Sequence, residues 1–328
     1  DSTVIGFSHT HLSGTGIGDL FDVTVMPVVG EVTCARGVEE NPQSGLWSYA
    51  DRSKEVVEPG YYSVPLSRYG ITAEMTATSR VGLHRYTFPA SDDAAVVFDL
   101  ENGGCWDKAT ETGFTFSEDS TRLSGWRYSM GWARDQKVYF VAEFSKPAKG
   151  ITYLQPGEPD DSKMPRIAAR YARVVFDMAE GEQLLMKVAL SPVSIEGAEA
   201  NLEAELPGWN FEATRLAADK AWNDELSKVR VETADDAAKR IFYTALYHTM
   251  VAPSEFCDAN GDYRGADGQV RPNPGYKTYT TFSLWDTYRA AMPLMTILHP
   301  EKMPDVINTM LAIADEQGVE ATTLIVTG

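Results

Sequence analysis

Cysteine and histidine are scarce in this chain, and basic side chains are outnumbered. Cys34, Cys105 and Cys257 are the three cysteines in 328 residues. They are odd in number, far apart and form no CxxC pair, which argues against a disulfide scaffold. Five histidines are too few to favour a structural zinc site. No run of about 18 apolar residues occurs, so no membrane span is predicted. The 29 Lys and Arg face 47 Asp and Glu, a net charge of −18. Such a field repels phosphate backbones and argues against a nucleic-acid partner. There is no initiator Met and no signal peptide, and Asp1–Phe7 already reads as structured, so we read the chain as a fragment.

What is present is concentrated in Thr278-Tyr-Thr-Thr-Phe-Ser-Leu-Trp-Asp-Thr-Tyr-Arg289. An indole, a carboxylate and a guanidinium fall within five residues, where an irregular segment turns into a helix. Trp285 offers a flat apolar face. Asp286 can accept two hydroxyl hydrogen bonds, and Arg289 can fix that carboxylate one turn later. A sugar ring, with an apolar face and a rim of hydroxyls, needs such a set. The competing reading is structural: Ser283-x-x-Asp286 is also a capping box, and Trp285 could be core.

The hydrophobic period divides the chain. Phe21–Met26, Arg85–Phe88, Lys137–Phe144, Tyr171–Phe176 and Leu184–Leu190 alternate with period two, separated by Gly, Pro, Asp and Ser clusters. That pattern predicts a large antiparallel β-sandwich. From Trp209 the apolar spacing becomes helical. Phe211, Leu216, Ala217, Ala221, Trp222, Leu226 and Val229 predict a linker helix. A second helix is predicted behind a cap at Thr233–Asp236, with Ile241, Phe242, Ala245, Leu246, Thr249 and Met250 as its buried stripe. A third starts near Ser283 and is disturbed by Pro293. A fourth runs from Pro304 to a Gly318 cap. The fold class is thus β then α in separate domains. Residues 1–206 form the sandwich, 207–230 the linker helix, and 231–328 a helical part with too few helices to close a barrel.

Gly6-Phe-Ser-His-Thr-His-Leu-Ser-Gly-Thr-Gly-Ile-Gly-Asp19 is the second notable stretch. Its glycines permit close approach of a ligand. His9 and His11 share a side if the segment is extended. No third metal ligand is visible, and the Lys of a phosphate loop is missing. A glycine-rich connection with hydrogen-bonded histidines is the plain alternative. Asp258–Gly268 fails the EF-hand pattern at Tyr263 and Gln269 and reads as a turn-rich hairpin. Cys105 has no nearby His to make it a nucleophile.

Together these stretches resemble glycoside hydrolase family 92, the calcium-dependent, exo-acting α-mannosidases. The resemblance is carried in order by Gly6–Gly16, Pro59–Val64, Thr76–Arg80, Gly82–Pro89, Trp132, Val138–Phe140, Phe144–Pro147, Tyr263–Gly265 and Phe282–Arg289. It implies a β-sandwich followed by an (α/α)6 barrel, with the active site at their junction. It implies an inverting mechanism with a carboxylic acid and a carboxylate base roughly 6.5–9.5 Å apart, and a Ca2+ ion that helps distort the sugar. Trp285 and Asp286 match positions that hold the terminal mannose. His9, His11, Gly14 and Gly16 match the loop that reaches the same pocket, and Ile17 falls on the leaving-sugar side.

Val319–Gly328 departs from the family pattern, and the family's opening strands are not seen before Asp1. The general acid, the general base and most Ca2+ ligands are expected beyond Gly328, so no catalytic or metal residue is assigned within the chain. The reading is a fragment of a secreted or periplasmic exo-α-mannosidase acting on mannose-containing glycans. One alternative is a non-catalytic mannose-binding protein, which would lack an acidic pair in the parent gene. A mannoside hydrolase with a phosphate leaving group would need basic residues near Ile17, and none is present.

Overall fold

A computed structural model of the chain describes residues 3–12, 20–34, 37, 41, 44–103, 107–156 and 169–318. The N-terminal part is built mainly of two antiparallel sheets, with a separate two-stranded pair of Thr3–Val4 and Ser48–Tyr49. The larger has eight strands in the order Val56–Glu58, Tyr61–Leu66, Ile71–Ala77, Val81–Thr87, Gln183–Ser191, Gln136–Phe144, Arg122–Met130 and Lys108–Phe116. The smaller has four, in the order Gly150–Pro156, Ala169–Met178, Ser91–Asp99 and Thr24–Val29. Their facing sides form the main core. Phe98 stacks on Phe140 at 5.9 Å between ring centres, and Phe114, Phe144 and Phe176 surround them. These phenylalanines sit at alternate strand positions, as inward-facing residues of a sandwich must.

The outer face of the large sheet is also covered. Helix α1 (Ile195–Glu205) lays Ala198 and Leu202 on Val81, Leu83, Val141 and Ala189. Burial on both faces explains why Gln183–Ser191 shows a nearly continuous apolar run instead of strict alternation. The periodicity places only strands before residue 206, so α1 is a departure from expectation. The cause is local. It buries only Ala198, Asn201 and Leu202, too few to stand out, although Ser194 caps it by accepting from the Gly197 amide at 3.0 Å.

Helix α2 (Phe211–Leu226) falls within the stretch whose apolar spacing predicts a helix, and is capped by Asn210. It packs through Phe211 on Tyr61, with the Arg85 guanidinium 4.0 Å above the Phe211 ring and Arg215 3.6 Å above Tyr61. Gly60, at φ +82°, lets α2 approach, since a Cβ there would meet Ala218 at 2.9 Å. Helix α3 (Asp236–His248) is capped by Asp235, whose carboxylate accepts from the amides of Ala237 and Ala238. The stripe predicted to be buried on α3 is mostly not: Leu246 is buried, whereas Ile241 is 69% exposed. No packed layer covers that side of α3 among the described residues.

The remaining chain folds against a small core of Tyr279, Phe282, Val306 and Ile313. The predicted third helix is two pieces, α4 (Leu284–Thr287) and α5 (Ala291–Leu298), and α6 (Met303–Gln317) ends at Gly318 in the left-handed conformation. Arg80 ties this part to the sandwich. It donates to Glu205 at 2.6 Å, to Glu255 at 3.2 Å and to the Cys257 carbonyl at 2.6 Å. Buried Asp258 makes a second tie, accepting from Ser191 at 2.8 Å and Asn201 at 2.9 Å.

Candidate functional site

The first group of candidate residues lies where the chain enters and leaves the glycine-rich loop. Phe7 and Val25 exchange both backbone hydrogen bonds, at 2.8 and 2.9 Å. The His9 amide donates to the Asp22 carbonyl at 3.1 Å. The Thr10 hydroxyl donates to Asp22 Oδ2 and accepts from the Asp22 amide, both at 2.8 Å. The loop is therefore closed at its base. His11 is exposed just beyond that base. Gly14, Gly16 and Ile17 lie outside the described residues.

His9 is held by a chain whose proton positions follow from its end. Its Nδ1 lies 2.6 Å from the Val23 carbonyl, which can only accept, so Nδ1 carries the proton. Nε2 is then an acceptor and lies 2.8 Å from Nε2 of His84, which must donate. His84 Nδ1 in turn accepts from the Tyr86 hydroxyl at 2.8 Å. Both rings are neutral in this arrangement. Burial agrees, lowering the His9 pKa to about 4 and that of His84 well below the usual imidazole value. Gly82, His84 and Tyr86 alternate along the strand Val81–Thr87 and share one face. A Cβ on Gly82 would sit 3.1 Å from His9 Cδ2, so the glycine leaves room for the ring.

A buried ion triad grips the other side of the base. Arg127 is fully buried, and its guanidinium lies 2.5 Å from both Asp22 and Asp107 while Nε donates to the Leu100 carbonyl at 2.9 Å. Gln136 also donates to Asp22. Burial raises the Asp22 pKa, and the Arg127 charge opposes that rise. Between these grips the backbone is strained. Leu20, Phe21 and Val23 adopt φ of +67°, +63° and +53°. The left-handed region costs a non-glycine residue roughly 1–2 kcal/mol, and it is most unfavourable for a β-branched side chain such as that of Val23.

The second group lies on α4. The Trp285 side chain is not core: the residue is 81% exposed. The capping box does not form either. The Ser283 hydroxyl makes no bond to an α4 amide and instead donates to the Asp286 carboxylate. Arg289 does not fix Asp286. Its Nε donates to the Tyr288 hydroxyl at 2.8 Å, and its guanidinium lies over the Tyr288 ring. A one-turn helix does not present residues 286 and 289 to each other firmly enough to beat an adjacent phenol. The exposed indole and a carboxylate with free acceptor capacity remain available to a polyol. No hydrogen bond of His9, Asp286 or Arg289 joins the two groups.

Sequence reasoning did not assign His84, Tyr86, Arg127 or Asp22 to the site. The alternation of Gly82, His84 and Tyr86 was a readable signal. The partnership of Arg127 with Asp22, 105 residues away, was not. Among the described residues, no group of three His, Cys, Asp or Glu is placed to hold a metal. In the Asp258–Gly268 hairpin, Asp258 binds Ser191 and Asn201, and Asp267 pairs with Arg271 at 2.7 Å.

Comparison with known proteins gives a consistent result. The glycosyl hydrolase family 92 N-terminal domain matches residues 1–191, and the catalytic domain of the same family matches residues 197–324. The solved family GH92 α-mannosidase BT3965 of Bacteroides thetaiotaomicron is 36% identical with a TM-score of 0.88, over 95% of this chain and 43% of that one. A second structure of that protein contains mannoimidazole. The family GH92 inverting mannosidase BT2199 from the same organism is 29% identical with a TM-score of 0.81, over 97% of this chain and 42% of that one. An uncharacterized secreted glycosidase of Arthroderma benhamiae is 24% identical over 88% of this chain and 39% of its own length. The chain thus spans less than half the length of the relatives it matches.

Proposed function

Because the chain belongs to glycosyl hydrolase family 92, we propose that it is the sugar-holding part of an inverting exo-α-mannosidase that removes terminal mannose from glycans with calcium assistance. The observation that carries this is the 36% identity and TM-score of 0.88 to an α-mannosidase across 95% of the chain. The mannoimidazole complex of that relative supports mannose as the ligand.

In this reading Trp285 stacks on the apolar face of the terminal mannose, and Asp286 accepts from two of its hydroxyls. Its engagement by Ser283 holds the carboxylate in one orientation and leaves the other oxygen free. His9 and His11 contribute to the facing wall; the family resemblance assigns Gly14, Gly16 and Ile17, outside the described residues, to the same pocket. The acid that protonates the glycosidic oxygen, the base that deprotonates the attacking water, and the calcium ligands are supplied from outside these 328 residues. When bound, the ion would help distort the sugar ring and position water; none of this chain's residues is assigned to it. Secretion or export to the periplasm completes the proposal, supported by the secreted glycosidase among the relatives.

The test is hydrolysis of an aryl α-mannoside by the parent polypeptide, with and without EDTA, alongside the chain alone. The proposal expects calcium-dependent turnover by the parent and none by the chain. Mannose binding by the parent without turnover would favour a non-catalytic mannose-binding protein instead.

A further inference from the structure

We propose that His84 and Arg127 are positioning residues that hold Leu20, Phe21 and Val23 in their left-handed backbone and thereby fix His9 and the exposed Phe21 ring for the sugar. The part concerning the sugar rests on the function proposed above. Each strained stretch is gripped by one of two locks. Arg127 holds the Asp22 carboxylate, between Phe21 and Val23. His9, itself held by His84, holds the Val23 carbonyl. Both locks are rooted in strands of the eight-stranded sheet that are paired on both sides, Val81–Thr87 and Arg122–Met130, so neither can follow the loop if it relaxes.

A loop needing no strain could close through the Phe7–Val25 bonds and the Thr10–Asp22 pair alone. Here two further sets of buried polar groups are spent on a backbone that three non-glycine residues disfavour. Released, Leu20, Phe21 and Val23 would fall back toward the extended region. That would swing the Phe21 ring, 37% exposed, and free the His9 ring from its one allowed tautomer. Strain held by rigid neighbours is how a protein fixes a binding surface before its ligand arrives.

The experiment combines hydrogen–deuterium exchange of residues 7–25 with titration of mannoimidazole, on the 328-residue chain. His84→Leu cuts the histidine chain; Tyr86→Phe removes only its outer hydroxyl and replaces it as the test if His84→Leu does not fold. Phe21→Gly removes one strained residue, and Phe21→Ala removes the ring but keeps the strain. His84→Leu is expected to speed exchange in residues 7–25 about tenfold in the wild-type background and less than about threefold beside Phe21→Gly. Mannoimidazole affinity should fall about tenfold in His84→Leu, and it should also fall in Phe21→Gly and Phe21→Ala, which both lack the ring that meets the sugar. Equal acceleration of exchange in both backgrounds overturns the inference, because His84 would then be simple packing. A wild-type chain that does not bind mannoimidazole counts against the sugar reading alone; the exchange results still decide whether His84 holds the strain.

Discussion

Nε2 of His84 donates to Nε2 of His9 across 2.8 Å, and the direction of that bond is forced by the Val23 carbonyl at the far end of the chain. A proton added to His9 would set two N–H groups against each other, and one added to His84 would turn its Nδ1 from acceptor to donor toward the Tyr86 hydroxyl. The pair is therefore a neutral clamp on the base of the glycine-rich loop, and its consequences are measurable.

The first consequence is acid lability. The His9 pKa falls from 6.5 unfolded to about 4 folded, mainly through burial. The unfolded chain therefore binds more protons between those values, and stability falls as pH drops from about 6.5 to about 4. His84 shifts the same way, through burial and the nearby His9. Asp22 and Tyr86 are the other titratable groups touching the clamp, and Tyr86 stays protonated throughout. Thermal melts from pH 7.5 to 4.5 should show a falling midpoint, and the slope should lessen in His9→Gln. A wild-type midpoint that is flat over this range would contradict the neutral clamp.

Gly82→Ala tests the space beside the clamp. The new Cβ would meet His9 Cδ2 at 3.1 Å and His84 Nε2 at 3.5 Å. One ring must shift, at a cost of about 1–3 kcal/mol for overpacking. Urea unfolding should report a loss of that size, with the ring signals of His9 and His84 displaced in NMR spectra. An unchanged midpoint would show that the rings have slack.

Much of the sandwich was legible in its apolar patterns: the alternating Lys137–Phe144 and Tyr171–Phe176 and the apolar run Leu184–Leu190 all lie inside observed strands. Helix α1 was not, because its buried face is two apolar residues and an asparagine. At the candidate site, Trp285 and Asp286 stood out by residue type. Their true partners did not, since Arg289 prefers its immediate neighbour Tyr288. The clamp depends on contacts 75 and 105 residues apart in sequence, which no local spacing encodes. Asp262 in the Asp258–Gly268 hairpin accepts from the Asn260 side-chain amide and from the Asn273 backbone amide, so replacing it loosens the hairpin.

Arg80→Ala should loosen the tie between the sandwich and the residues after α1. Arg80 loses charged hydrogen bonds to Glu205 and Glu255, each contributing about 1.5–3 kcal/mol. Chemical unfolding followed separately by Trp fluorescence and by far-UV circular dichroism should split into two transitions. A single transition with the wild-type midpoint would mean that the Asp258 tie suffices.

Asp286→Asn should leave the melting temperature within about 1 °C, since Asp286 is exposed and its loss is a surface change of less than about 0.5 kcal/mol. In the parent enzyme it should lower kcat/KM on an α-mannoside by the roughly 1.5–3 kcal/mol of a charged hydrogen bond. A loss under about threefold, below 1 kcal/mol, would return Asp286 to a local role with Ser283.

The most direct measurement is a proton NMR time course of the parent polypeptide cleaving an aryl α-mannoside. The account predicts that β-mannose appears first and equilibrates to the α form later, because water attacks the face opposite the leaving group. Release of α-mannose as the first product, or no release of mannose at all, would contradict it.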